Sequence, residues 1–118
     1  MSVTIYHNPR CSKSRKTLEI LEEAGTPTTI VRYLDEPPSA PRIAAIAQLL
    51  GLPVQALLRR NESEFKDATD LPDLDDDAVL ADWISRYPKA LERPIVVTND
   101  DKRAVIGRPP ENVRELID

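Results

Sequence analysis

Nine residues near the start of the chain, His7-Asn8-Pro9-Arg10-Cys11-Ser12-Lys13-Ser14-Arg15, hold its one histidine and its one cysteine. A β-rich run from Val3 to Tyr6 precedes them, and a helical pattern from about Ser12 to Ala24 follows. A thiol at such a strand-to-helix junction faces N–H groups that the helix leaves without partners, at the positive end of its dipole. Both features favour the thiolate, which is the nucleophilic form of cysteine. Arg10, Lys13, Arg15 and Lys16 crowd around Cys11 with no acid among them. The chemistry to expect is attack by Cys11 on a small oxyanion, drawn in by this local positive charge.

The elements that must position the thiol alternate between strand and helix. The helix after Cys11 carries a stripe at Thr17, Ile20, Leu21 and Ala24, with Gly25 placed to end it. Thr28 to Leu34 is β-branched and aromatic and predicts a second strand. After Asp35-Glu36-Pro37-Pro38, Ser39 is placed to cap a helix that buries Ile43, Ile46, Ala47 and Leu50 before Gly51. A short helix from Pro53 groups Val54, Leu57 and Leu58, and residues 61–75 are polar and irregular with a helical part. Val79, Leu80, Trp83, Ile84 and Tyr87 predict another amphipathic helix, stopped by Pro88. Pro94 to Thr98 predicts a strand, Asn99-Asp100-Asp101 a turn, and Arg103 to Ile106 its hairpin partner. Pro109-Pro110 opens a last helix with Val113, Leu116 and Ile117 inward.

The resulting order is β-α-β, a helical insertion at about residues 39–90, then β-β-α. Across 118 residues this predicts one α/β domain. With 31% charged residues and no apolar run of membrane length, the chain reads as soluble, without a membrane partner, and residues 1–10 lack the pattern of a signal peptide. A single cysteine makes no internal disulfide, which fits a reducing cytoplasm. A net charge of −4 argues against nucleic-acid binding. Nine acids between Glu62 and Asp82 face only Lys66, and read as a solvated helix face with its cap.

The sequence resembles the glutaredoxin-coupled arsenate reductase family, which has a thioredoxin-like fold. The resemblance rests on Tyr6 to Arg15, Leu57-Leu58-Arg59-Arg60-Asn61, Arg93-Pro94-Ile95-Val96-Val97 and Ile106-Gly107-Arg108-Pro109-Pro110-Glu111, in the family's order. It implies reduction of arsenate to arsenite, with glutathione as co-substrate, glutaredoxin as partner and no bound cofactor or metal. Cys11 matches the nucleophile that forms a thiol–arsenate adduct. Arg59, Arg93 and Arg108 match the oxyanion-binding positions, His7 and Ser14 match supporting catalytic residues, and Arg93-Pro94 matches the cis proline beside the thiol.

The residues suit that chemistry. Guanidinium offers charge and paired donors, and three from separate segments can surround a tetrahedral anion. One cysteine cannot complete a two-electron reduction, so the second thiol must come from outside. Glutathione, with two carboxylates, fits a cationic site. Each residue also has an ordinary alternative. Cys11 as a buried small hydrophobe, His7 as a loop bond, Arg93 in an ion pair and Arg108 capping a carbonyl are those alternatives. Arg10, Lys13 and Arg15 read as steering charges rather than ligands. At the level of function, two alternatives stand beside the reductase. One is a non-enzymatic stress regulator of the same fold that binds RNA polymerase, although Ser14 occupies the place of that group's second cysteine. The other is a glutathione-dependent thiol reductase with another substrate.

Overall fold

A computed structural model describes residues 2–117. The chain divides into two units, one of residues up to Glu36 together with those from Arg93 onward, the other Pro37–Glu92. In the first, β1 (Val3–His7), β2 (Thr28–Arg32), β3 (Ile95–Thr98) and β4 (Ala104–Ile106) form one sheet in the order β2-β1-β3-β4. β1 runs parallel to β2, joined by helix α1 (Ser12–Glu23), while β1–β3 and β3–β4 are antiparallel. This is the thioredoxin-like plan that the sequence pattern predicts.

The register explains how distant residues converge. Tyr6 at the end of β1 pairs with Ile95 at the start of β3, and Ile95 pairs with Ile106 at the end of β4. The segments leaving or entering these strands, Asn8 to Cys11, Arg93-Pro94 and Gly107-Arg108, therefore meet at one end of the sheet. Neighbouring strands lie only about 4.8 Å apart, so side chains on these three segments are within reach of one another.

One face of the sheet carries the unit's core. Val3, Ile5, Val96 and Val105 pack with Ile20 and Leu21 of α1 and with Val113 and Leu116 near the C-terminus. Each such side chain contributes roughly 1.5–3 kcal/mol on burial. Ser14 and Thr17 are buried beside Ile20 and Leu21 while Ala24 is exposed, so the buried stripe of α1 starts one turn earlier than predicted. The last segment opens as a 3-10 turn, Pro110–Val113, before α5 (Arg114–Ile117), because two prolines start it.

The second unit is helical. In α2 (Ala40–Leu50) the Arg42 N–H donates to Ser39 Oγ at 3.2 Å, and Gly51 closes the helix at φ 69°. A left-handed residue there satisfies the last carbonyls at little cost only as glycine. α2 packs against α4 (Asp77–Arg86), with Ile43, Ile46 and Ala47 buried on one and Leu80, Ala81, Trp83 and Ile84 on the other. Val79, expected in that stripe, is 43% exposed. Asp76 caps α4 by accepting from the Val79 N–H, as the acidic run suggested. Between them lie a 3-10 turn (Val54–Leu57) and the short α3 (Ser63–Lys66). Among the described residues no helix is long and apolar enough to cross a membrane.

Candidate functional site

Cys11 is the N-cap residue of α1, in extended conformation, and the first turn carries no acid. Its thiol makes no capping hydrogen bond of ordinary length, yet the Ser14 and Lys13 N–H groups face the sulfur closely enough to favour its anion. Sulfur's larger radius makes this a charge–dipole contact more than a cap. Arg108 approaches with one guanidinium nitrogen 3.5 Å from Cys11 Sγ, and Arg93 also donates to the sulfur. Burial pushes the thiol's pKa up. The Ser14 and Lys13 N–H groups, the Arg93 guanidinium and the charge of Arg108 pull it down and win, leaving it below the ordinary value.

The loop is built from polar groups that satisfy one another. Cys11 N–H donates to Asn8 O and Arg10 N–H to Asn8 Oδ1, each at 3.0 Å. Ser14 is wholly buried; its Oγ accepts from the Asn8 N–H at 3.0 Å and shares a 2.6 Å hydrogen bond with His7 Nδ1. The imidazole tautomer decides which of those two donates. Burial first, then the charges of Arg32 and Arg15, push the His7 pKa below 6.5 against a weaker pull from Glu22, so the ring is neutral near pH 7. His7 and Ser14 thus brace the turn whose N–H groups face the thiol. Replacing Ser14 with alanine strands buried partners, a loss of about 1–3 kcal/mol.

Behind the thiol, Arg108 Nε donates to the Arg93 carbonyl at 2.7 Å. Arg108 therefore both caps a carbonyl and contacts the sulfur, joining two roles that the sequence left as alternatives. The carbonyl aims the guanidinium without cancelling its charge. The Arg93–Pro94 peptide is cis, as the resemblance implied, and so is Arg108–Pro109, which nothing in the sequence distinguishes from an ordinary X–Pro bond.

Four predicted residues of the first unit, Cys11, Ser14, Arg93 and Arg108, meet at the sulfur, and His7 reaches it through Ser14. Arg59 belongs to the helical unit, where its Nη1 donates to Glu92 Oε1 at 3.1 Å and its Nε lies 3.5 Å from Glu62. Arg15, expected as a steering charge, donates to the Pro9 carbonyl at 2.9 Å and straps the loop. Gly107 is a position of the candidate site that residue types alone do not single out. A Cβ there would sit 2.5 Å from Thr17 Oγ1 and 2.7 Å from Pro94 Cγ, so only glycine lets β4 close against α1 and the proline. A glycine at a strand end, next to an arginine expected in the site, is the available signal. No group of three or more metal-ligating side chains is assembled among the described residues.

Comparison with known proteins gives the family. The ArsC family model matches residues 6–116. A Neisseria meningitidis protein named arsenate reductase is 42% identical over 98% of this chain and 97% of its own. An Escherichia coli arsenate reductase is 38% identical over 98% of this chain and 81% of its own. The solved structure of an arsenate reductase from Vibrio cholerae superimposes with a TM-score of 0.83 at 44% identity, covering 98% of this chain and 97% of that one. With a thioredoxin-like sheet, a cysteine at the head of α1 and two arginines closing on its sulfur, this chain belongs to the ArsC family.

Proposed function

We propose that the chain reduces arsenate to arsenite, with Cys11 as nucleophile and glutathione and glutaredoxin as the source of electrons. The observation that carries this reading is the meeting of Arg93 and Arg108 with the Ser14 and Lys13 N–H groups at one thiol. Such a ring stabilises a thiolate before substrate arrives and a tetrahedral oxyanion afterwards, since both are anions seeking the same donors. The arsenate reductase names of the relatives support the choice of arsenate.

In the first step the Cys11 thiolate bonds to arsenic(V) and an arsenate oxygen leaves as water after taking up protons. Arg93 and Arg108 offset the repulsion between the two anions. In the second step a glutathione thiol attacks the Cys11 sulfur. The sulfur–arsenic bond breaks and its electron pair stays on arsenic, now arsenic(III). In sum, hydrogen arsenate, the Cys11 thiol, one glutathione and two protons give arsenous acid, water and the Cys11–glutathione disulfide. Glutaredoxin then exchanges that disulfide and restores the thiol. His7 and Ser14 hold the first turn of α1 in place throughout. A chain with one cysteine needs this outside thiol, which agrees with a cytoplasmic setting.

The test is a coupled assay with purified protein, arsenate, glutathione, glutaredoxin and its NADPH-linked reductase. NADPH consumption should depend on every component, and Cys11→Ser should lower it by about 10³-fold or more. Consumption that survives Cys11→Ser would sink the reading.

A further inference from the structure

A cavity of about 310 Å³ opens beside the reactive loop, in the first unit, lined by His7, Asn8, Arg10, Arg32 and Asp35 among others. It begins at Arg10, the residue before the nucleophile, and extends to the end of β2, where Arg32 is the register partner of His7. Its volume is at the lower end of the range for small-molecule sites. Its charges are few and specific: two guanidinium groups, Arg10 and Arg32, and one carboxylate, Asp35. All three residues are exposed, and among the described residues none of the three takes part in an ion pair. Three formal charges around one cavity, none of them answered within the fold, are a pattern that a ligand of opposite charges can complete.

The reaction proposed above requires a second substrate with such a pattern. Glutathione carries two carboxylates, one at each end, and one ammonium beside the first of them. Building on that functional reading, we propose that this cavity is the docking site for the glutathione tripeptide, with Arg10 and Arg32 holding its two carboxylates and Asp35 holding its ammonium. The match is one for one in sign and number. It leaves the ligand's thiol, which lies between its two ends, free to reach the sulfur of the adjoining residue. Distance permits this: adjacent Cα atoms are about 3.8 Å apart, and an extended tripeptide spans roughly 10 Å. The neutral His7 ring forms part of the wall and adds no third cation. Arg93 and Arg108, which meet the sulfur, are not among the residues lining the cavity, so oxyanion and thiol donor draw on different donors.

S-methylglutathione, which cannot react, tests the docking site by calorimetry or NMR titration on the whole protein without arsenate. It should bind and perturb residues 7–10 and 32–35, and Arg10→Gln and Arg32→Gln should each weaken it about tenfold. Wild-type protein should prefer the free amine to the N-acetylated analogue, and Asp35→Asn should erase that preference. In turnover with arsenate, Arg32→Gln should raise the KM for glutathione, leave the KM for arsenate unchanged, and have no effect when dithiothreitol replaces glutathione. Absence of binding, or an affinity that both arginine variants leave unchanged, overturns the docking site. Because binding is read without arsenate, the titration tests the cavity even in a chain that fails to reduce arsenate. Equally, glutathione-dependent turnover with an unaltered KM in the variants would remove the cavity and leave the reductase standing.

Discussion

Two acidic groups in this molecule gather donors in the same way, to different effect. In the helical unit, Asp70 accepts from Trp83 Nε1–H at 3.1 Å and from the Tyr87 hydroxyl at 3.0 Å, with Arg86 3.7 Å away. In the sheet unit, Cys11 receives the Ser14 and Lys13 N–H groups, Arg93 and Arg108. Both groups have their pKa lowered, Asp70 through the Trp83 and Tyr87 hydrogen bonds first. A carboxylate is ionised at neutral pH in either case, so lowering its pKa only ties the Asp70 loop to the C-terminal half of α4. A thiol near 8.5 is mostly protonated at neutral pH, so the same lowering raises the fraction present as thiolate. Donors around an acid make structure; donors around a thiol favour its nucleophilic form.

Removing one of the two charged donors at the thiol should produce the largest change after loss of the sulfur itself. Arg108→Ala deletes a charge-assisted contact of about 1.5–3 kcal/mol, so kcat/KM for arsenate should fall roughly 10- to 100-fold. In the same variant, the midpoint of iodoacetamide alkylation against pH should rise from below the ordinary thiol value toward about 8.5. A midpoint that does not move would break the comparison at its centre. Gly107→Ala should follow: its Cβ must displace Thr17 or Pro94, for about 1–3 kcal/mol of stability by denaturant titration. Because Arg108 is the next residue, turnover should drop as well, though less than when the arginine is removed.

The His7 brace gives a smaller, pH-dependent effect. Its folded pKa lies below 6.5, so as pH falls through 6.5 the unfolded chain binds a proton that the folded chain refuses. Stability is therefore present above that value and declines as pH drops toward the folded pKa, with a slope of at most one proton. Chemical denaturation between pH 7.5 and 5.5 should show this decline, and His7→Asn should flatten it. The smallest effect sharpens the comparison from the other side. Asp70→Asn should lower the thermal midpoint by no more than a few degrees and leave the alkylation profile of Cys11 where it was.

Much of this architecture is legible in short stretches of the chain. Pro94-Ile95-Val96-Val97 reads as a strand because β-branched residues in a row suit a strand buried on both faces, and β3 is buried at all four positions. Ser39 and Gly51 mark the ends of α2 because caps are local chemistry. The stripes are less exact. Ala24 and Val79 satisfy a helical period and still face solvent, because periodicity gives a face while the packing partner sets where along the helix burial starts and stops. Tyr33 extends the predicted second strand, but it leaves the ladder after Arg32 and is buried in the following turn. The Arg15 strap and the second cis proline depend on where the Pro9 carbonyl and the β4 terminus arrive in space.

The sequence by itself determined the candidate reagent: one cysteine at a strand-to-helix junction, basic neighbours, and fewer thiols than the proposed reduction needs. These follow from residue type and short-range order, which the chain carries wherever it goes. Tertiary structure decided the company that sulfur keeps. Antiparallel pairing of β1 with β3 and of β3 with β4 brings residues 93 and 108 to residue 11, and a missing Cβ at Gly107 lets them approach. Proximity between segments some 80 to 100 residues apart is a property of the ladder register, and no stretch of the sequence contains it.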